Sequence, residues 1–464
     1  MGPRARVSVW PGCRSVPGIV APDCRGARGA ECLPSDILRH RSPKKIAMDT
    51  VFDKVAGVDV HHKFITVGIR CRLETGKLFA EVQECVTMTR DLMALADYLE
   101  ALGVTHVAME STGVLWKPVW NILDGRFKLL LVNPRQVKQV PGRKSDVKDA
   151  EWIAQLLQCG LLQGSFVPRR ELRELRDLTR FRAQLASEQT RLANRIHKVL
   201  EDANIKLSAV ASDILGKSGR AMLRALIHGE QDPEKLANLA EGRLRAKIPE
   251  LKLALEGHFT EHHLFMVGHL LTHLNELERH VEEISSRIAQ CFEPLLDDDR
   301  IKRLDAIAGV DRATIENVVA EIGVDMAVFP DEHHLSSWAG ISPGNEQSAG
   351  KRLRNRTTRK NRWLRRALTE AAWAAGRTKS SYLGAQYRRL APRRGKKRAL
   401  VAVGHSLLVI FYHMLKHEGL EYKDLGVDYF DRLEPERLRS YLVKRLQRLG
   451  YRVTLTLEGE ADAA

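Results

Sequence analysis

KVAGVDVHHKFITVGIRC, residues 54–71, decides the fold. It offers two β-rich runs, around 54–60 and 63–71, separated by a polar turn, which is the pattern of two paired strands. Asp59 lies inside the first run between Val58 and Val60, so its side chain points the opposite way from theirs. An acid within an apolar strand is costly unless it is paired, hydrated at a sheet edge or bound to a metal. His61 and His62 follow it. Neighbours on a strand face opposite ways, so at least one of them belongs to the turn or the surface.

Outward from this pair, KLFAEVQECV (77–86) reads as a third strand and TRDLMALADYLEALG (89–103) as a helix stopped by Gly103. THVAMES (105–111) is a fourth strand, VLWKPVWNIL (114–123) a helix, and FKLLLVNP (127–134) a fifth strand closed by Pro134. SDVKDAEWIAQLLQCG (145–160) is a helix opened by Ser145 and stopped at Gly160. Three strands followed by alternating helix and strand predict an α/β layer on a mixed sheet.

Four acids stand at chemically suggestive places on these elements. Asp59 is in the first strand and Glu110 at the end of the fourth; Asp146 and Asp149 are three apart, on one face of a helix. Acids converging at strand ends can hold two Mg²⁺ ions ~3.5–4 Å apart for phosphoryl transfer, and carboxylate oxygens suit hard cations. The alternative makes Asp146 a charge complementing the helix dipole and Glu110 a capping or loop acid.

Beyond residue 168 the pattern becomes helical. Leu172, Leu175, Leu178, Phe181 and Leu185 recur at spacings of three and four. Val267, Leu270, Leu274, Leu277, Val281, Ile284, Ile288 and Cys291 continue as a heptad, to be buried in a hairpin with the first helix, in a subunit interface or on an ordinary core. IKRLDAIAGVDRATIENVVAEIG (301–323) reads helix, Gly-Val turn, helix. It is either a helix-hairpin-helix whose amides meet a DNA phosphate or a plain αα-hairpin. Nine of the sixteen residues from Lys351 to Arg366 are Lys or Arg and none is acidic. Ser348, just ahead of them, is a reactive group or a turn residue before a basic helix. Lys351, Arg352, Arg354, Arg356, Arg359, Lys360 and Arg362 are candidates for phosphate contact, against the alternative of a solvated basic face.

The whole-chain balance agrees with a nucleic-acid partner: 74 Lys and Arg against 58 Asp and Glu give +16 over 464 residues. No run of uninterrupted apolar residues reaches membrane-span length, and ALVAVGHSLLVIFYHML (399–415), with His405 and His413 inside it, reads as a buried core helix. Seven cysteines form no metal-like or disulfide-like spacing, which suits a reducing, cytoplasmic setting. Residues 1–47 are rich in Gly, Pro and Arg and lack the apolar core of a secretory signal. Met48 is the expected natural start, with 1–47 an upstream misread or a disordered leader.

GVDVHHKFITVGI, VAMESTGVLWKPV, LVNPRQVKQVPGRKSDVKDAEWIAQLL and LSSWAGISPGNEQSAGKR, in this order, resemble the DEDD-type transposases of insertion-sequence family 110, the bridge-RNA-guided recombinases. The resemblance runs from about residue 55 to 430. It implies a RuvC-like, RNase H-fold domain over 52–168 and a helical, coiled-coil dimerisation region over 169–293. A mostly α C-terminal transposase domain over 299–430 and a tail over 431–464 follow. It further implies that Asp59, Glu110, Asp146 and Asp149 bind Mg²⁺, as two ions and with Mn²⁺ as a substitute. Ser348 falls where the family carries the serine that attacks a DNA phosphate. Double-stranded DNA, a guide RNA and a homodimer or homotetramer are the implied partners, in a bacterial cytoplasm at the nucleoid and with no membrane. Two features depart from the family: TTRKNRWLRR lacks the glycine relatives often carry before the Asn, and 1–47 has no counterpart. The expected function is thus Mg²⁺-dependent DNA strand cleavage and exchange. The competing functions are a RuvC-like structure-selective nuclease that uses water, and an inactive nucleic-acid-binding relic.

Overall fold

A computed structural model describes residues 50–73, 75–110, 113–134, 146–343, 346–348, 351–354, 357 and 360–455, with the side chains of 146–148, 346–348 and 351–354 excepted. The expectation for residues 1–47 lies outside the described residues. The chain divides into two units, one ending at Gly164 and one beginning at Ser165.

In the first unit β1 (Lys54–Val60), β2 (Phe64–Arg72) and β3 (Leu78–Val86) form an antiparallel meander. Helix α1 (Thr89–Ala101) leads to β4 (His106–Glu110), and α2 (Trp116–Leu123) to β5 (Lys128–Val132). Both of these strands run parallel to β1, in the sheet order β3-β2-β1-β4-β5. That order and those directions are those of an RNase H-like sheet.

Two glycines decide how the next helix lies on the sheet. Gly57 of β1 and Gly68 of β2 are cross-strand partners, and α3 (Asp146–Gln158) lies against both. A Cβ at Gly57 would stand 2.3 Å from the Ala154 nitrogen and 2.4 Å from the Ala150 oxygen; one at Gly68 would stand 2.7 Å from the Glu151 nitrogen. The last turn of α3 is tied to the start of β1, where the Val51 and Phe52 amides donate to the Gln158 carbonyl. The first turn therefore lies toward the end of β1 that carries Asp59. Val55, Ile153, Ala154, Leu156 and Leu157 pack as one apolar cluster beneath it. The opposite sheet face, with Val58, Val67 and Ile69 buried, is the α1 side, where Tyr98 donates to Glu81 of β3 at 2.8 Å.

The second unit is helical. Its frame is a pair of long helices, α4 (Arg170–Asp202) and α7 (Glu261–Phe292). Between them in sequence come α5 (Lys217–Ile227), α6 (Ile248–Leu255) and short helical turns. Leu192, Ile196 and Leu200 of α4 share one core with Val267, Leu271, Leu274 and Leu277 of α7. The heptad seam is thus filled within the chain as a hairpin. Val267, Leu274 and Leu277 of the heptad are buried there.

The other ends of the same two helices enter a second core. Leu172, Leu175, Ile288 and Phe292 pack with α8 (Asp298–Asp305), α9 (Arg312–Ile322), α10 (Glu332–Ala339), α11 (Arg362–Arg377), α12 (Tyr382–Arg394) and α13 (Lys396–Lys416). α13 is, among the described residues, the one helix long and apolar enough to cross a membrane. Its Val403, Leu407, Leu408 and Phe411 are fully buried in this core. Between α8 and α9, Gly309 takes φ +82°, and its open side is filled by α11: a Cβ there would meet the Ala375 nitrogen at 2.3 Å. The Ile307 and Val310 amides donate to Leu304 and Ile307 carbonyls. The glycine between the two helices thus serves a close helix contact.

Two buried carboxylates join α9 to α4. Glu321, 2% exposed, accepts from Nε and Nη2 of Arg180 at 2.7 and 2.8 Å. Glu316 accepts from Arg182 at 2.7 Å and Arg312 at 3.0 Å. Arg176 donates to the Ala320 and Glu321 carbonyls at the end of α9. Burial lowers its pKa to about 10, against the pull of Glu321, so it stays charged at neutral pH. Removing one partner of a buried pair strands the other. Glu321→Ala is expected to destabilise the helical unit by about 3–5 kcal/mol, read as a lower urea midpoint for amides of α4 and α9 in hydrogen exchange.

Candidate active site

Strand pairing sets Asp59 and Glu110 at the same end of neighbouring strands. Val58 of β1 is registered with Met109 of β4, so the next residue on each parallel strand is an acid at the same end of the sheet. Asp149 arrives from α3, adjoining the Ala150 that Gly57 admits. The Asp59 carboxyl is raised above its ordinary pKa, first by burial and also by the negative charge of Asp149, with His61 pulling the other way. Asp59 is only 14% exposed and its Oδ2 lies 3.2 Å from His61 Nε2.

The two histidines part as strand alternation requires. His61 shares Asp59's face and also lies against Phe64, ring centroids 4.8 Å apart. His62 is exposed in the turn, where its carbonyl accepts from the Thr87 hydroxyl at 3.1 Å.

Asp146 opens α3, one turn before Asp149; its side chain lies outside the described residues. Among the described residues no three acid, His or Cys side chains stand close enough to hold a metal ion. The meeting of acids that is described is the Asp59–Asp149 pair.

Ser348 ends the short strand β6 (Glu346–Ser348), which pairs antiparallel with β7 (Lys351–Arg354). Ser348 is registered with Lys351 and Gln347 with Arg352, with a register shift between Glu346 and Gln347. Lys351, Arg352 and Arg354 belong to a strand, and the helix begins only at Arg362. The reason is that Asn361 supplies the N-cap, its side chain accepting from the Trp363 and Leu364 amides at 3.1 Å each. Arg356 and Arg359 lie outside the described residues. Lys360 and Arg362 are exposed, the Arg362 guanidinium standing 4.5 Å over the Trp363 ring.

Sequence reading passed over Asn361, Glu321, Arg180 and Arg365. Asn361 Nδ2 donates to Glu321 at 2.8 Å, and Arg365 reaches back to the segment before β6. Only the Asn-to-helix junction carried a local signal, as an N-cap ahead of WLRRAL.

An RNase H-like sheet and an arginine-rich helical unit thus stand in one chain. Residues 56–205 match the DEDD-type IS110 transposase model, and residues 301–388 match the transposase model of the IS116/IS110/IS902 family. The chain belongs to the IS110 family of DEDD transposases. A curated relative, the transposase for insertion sequence element IS1111A of Coxiella burnetii, is 26% identical over 326 residues, 68% of this chain and 79% of that protein. Among solved structures, Thermus thermophilus RuvC is 16% identical, covering 24% of this chain and 99% of that one, with a TM-score of 0.20. T. thermophilus RuvC in complex with a Holliday junction substrate is 17% identical, covering 25% and 100%, with a TM-score of 0.19.

Proposed function

We propose that this transposase cuts and exchanges DNA strands by transesterification, with Ser348 as nucleophile and the acids of the RNase H-like sheet as the Mg²⁺ site. The observation that supports the metal assignment is Asp59, a largely buried carboxyl raised first by burial and also by the negative charge of Asp149 close by. An all-oxygen donor set of this kind suits a hard dication. Asp59 and Asp149 would hold it, with Glu110 beside them and Asp146 one turn earlier on α3. A bound Mg²⁺, or Mn²⁺ in its place, supplies neutralisation of the charge that builds on the phosphoryl oxygens.

Ser348 Oγ would form a bond to phosphorus as one ester P–O bond of the DNA backbone breaks. The leaving oxygen takes up a proton and the serine loses one. One phosphoester replaces another, so the bond energy is retained for the rejoining step. The cations of 351–362 would hold the phosphates of double-stranded DNA, a role the +16 balance supports. The family resemblance adds a guide RNA that reads sequence by base pairing, and a homodimer or homotetramer in which serine and acids meet across subunits.

A covalent-trap assay tests this reading. Protein, the RNA flanking its element, Mg²⁺ and labelled junction DNA are incubated, denatured and separated. Protein-bound label is expected from the wild type and none from Ser348→Ala, with DNA binding unchanged. Free cleaved DNA that Ser348→Ala leaves unaffected would make the enzyme a water-using nuclease and Ser348 a turn residue.

A further inference from the structure

We propose that Arg365 is the positioning residue of the Ser348 hairpin: it staples the two legs of that hairpin at their root. Arg365 belongs to the basic run by composition, yet unlike the exposed Arg362 it is turned inward and half-buried. Its Nη2 donates to the Gly340 carbonyl at 2.7 Å and to the Thr357 hydroxyl at 2.5 Å. Gly340 is the left-handed cap of α10, ahead of β6, and Thr357 lies beyond β7. Between these two contacts the chain closes once more, through the antiparallel bridge of Pro343 with Thr357. One guanidinium thus holds the entering and the leaving leg together.

The hairpin needs such a root. Among the described residues β6 and β7 pair at three registered positions, with a shift inside them, and an isolated two-stranded hairpin is marginal in water. Arg365 itself is fixed. It sits in the first turn of α11, whose start is set by Asn361, and Asn361 is bonded to Glu321, which Arg180 of α4 grips through both nitrogens. The order of the helical core is carried by this chain of contacts to the base of the hairpin that holds Ser348.

The inference rests on the reading of Ser348 as nucleophile, and its test keeps the two apart. Full-length wild type, Arg365→Ala and Thr357→Val are compared in three measurements: the single-turnover rate of adduct formation at saturating junction DNA, the DNA affinity with its salt dependence, and hydrogen exchange of amides in 341–354. Arg365→Ala is expected to slow adduct formation by roughly 10²-fold, the scale of a ~1 Å misplacement. Affinity and salt slope should stay unchanged, and hairpin amides should exchange faster while α9 and α13 do not. Added guanidinium should restore part of the rate, and Thr357→Val, losing one leg, should fall between. A salt slope lower by about one unit with weakened affinity would instead make Arg365 a phosphate contact and overturn the proposal, as would a normal adduct rate. If wild type yields no adduct, the serine reading fails on its own. Hairpin exchange then decides for the staple, and unchanged exchange in Arg365→Ala sinks it.

Discussion

Gly57→Ala is expected to abolish DNA cleavage although it adds only one methyl group, in the interior of the sheet. The added Cβ would fall 2.3 Å from the Ala154 nitrogen and 2.4 Å from the Ala150 oxygen. These are backbone atoms of a helix, so no side chain can swing aside. α3 has to lift from β1, and Asp149, next to Ala150, lifts with it. The loss of close packing between helix and sheet is put at about 3 kcal/mol, the upper end of the overpacking range. Chemical denaturation followed by exchange of β1 and α3 amides would measure it, beside a cleavage assay. Gly164→Ala is the matched control, because a Cβ there meets only the Leu130 side chain at an ordinary 3.6 Å. Full activity in Gly57→Ala would show that Asp149 does not depend on this contact.

Asp59→Asn should separate stability from catalysis. Cleavage is expected to fall by at least about 10³-fold, ~4 kcal/mol of transition-state stabilisation, with DNA affinity preserved. Without divalent ions the variant should be the more stable protein. The folded-state pKa of Asp59 is raised, by burial first and by Asp149 as well, so the folded protein holds this proton more tightly than the unfolded chain does. Stability is therefore lost as pH rises from the unfolded value through the folded one, and the penalty is fully present above the latter. The asparagine escapes it. The higher melting temperature of the variant at pH 7 should shrink toward zero as pH falls below the unfolded Asp value. Mg²⁺ reverses the ranking: ligand at 100 times its Kd stabilises by about 2.7 kcal/mol, and only wild type should gain it. An unchanged Mg²⁺ response in Asp59→Asn would remove Asp59 from the metal site.

The sheet was readable because its information is local. Alternation in 54–71 set two strands, and the same parity kept His61 and His62 from both facing the acid. The order of acids along the chain was also readable, but their meeting was not. It depends on Gly57 and Gly68 lying opposite each other, and register is a pairing property that a single strand does not carry. The heptad in α7 was equally plain as a pattern. A pattern of apolar positions states that something must cover it and leaves the partner open, which is why its filling by α4 was one alternative among several. The short hairpin was not legible, because strands as brief as Glu346–Ser348 and Lys351–Arg354 carry weak local signals. Glu321 and Arg180 lie 141 residues apart, and nothing near either one in sequence announces the other.

The pair α4 and α7 runs through two separate cores, and this restricts how the protein's descendants can change length. Leu172 and Leu175 answer to one core, Leu192, Ile196 and Leu200 to the other. Each residue inserted or deleted between them turns the remainder of the helix by about 100°. A single-residue change would thus present the wrong faces to whichever core lies beyond it. Changes of about seven residues, close to two full turns, made in both helices at once, would keep the faces nearly in place. Inheritance along this part of the chain has a step size, and two distant stretches of the gene must take the step together.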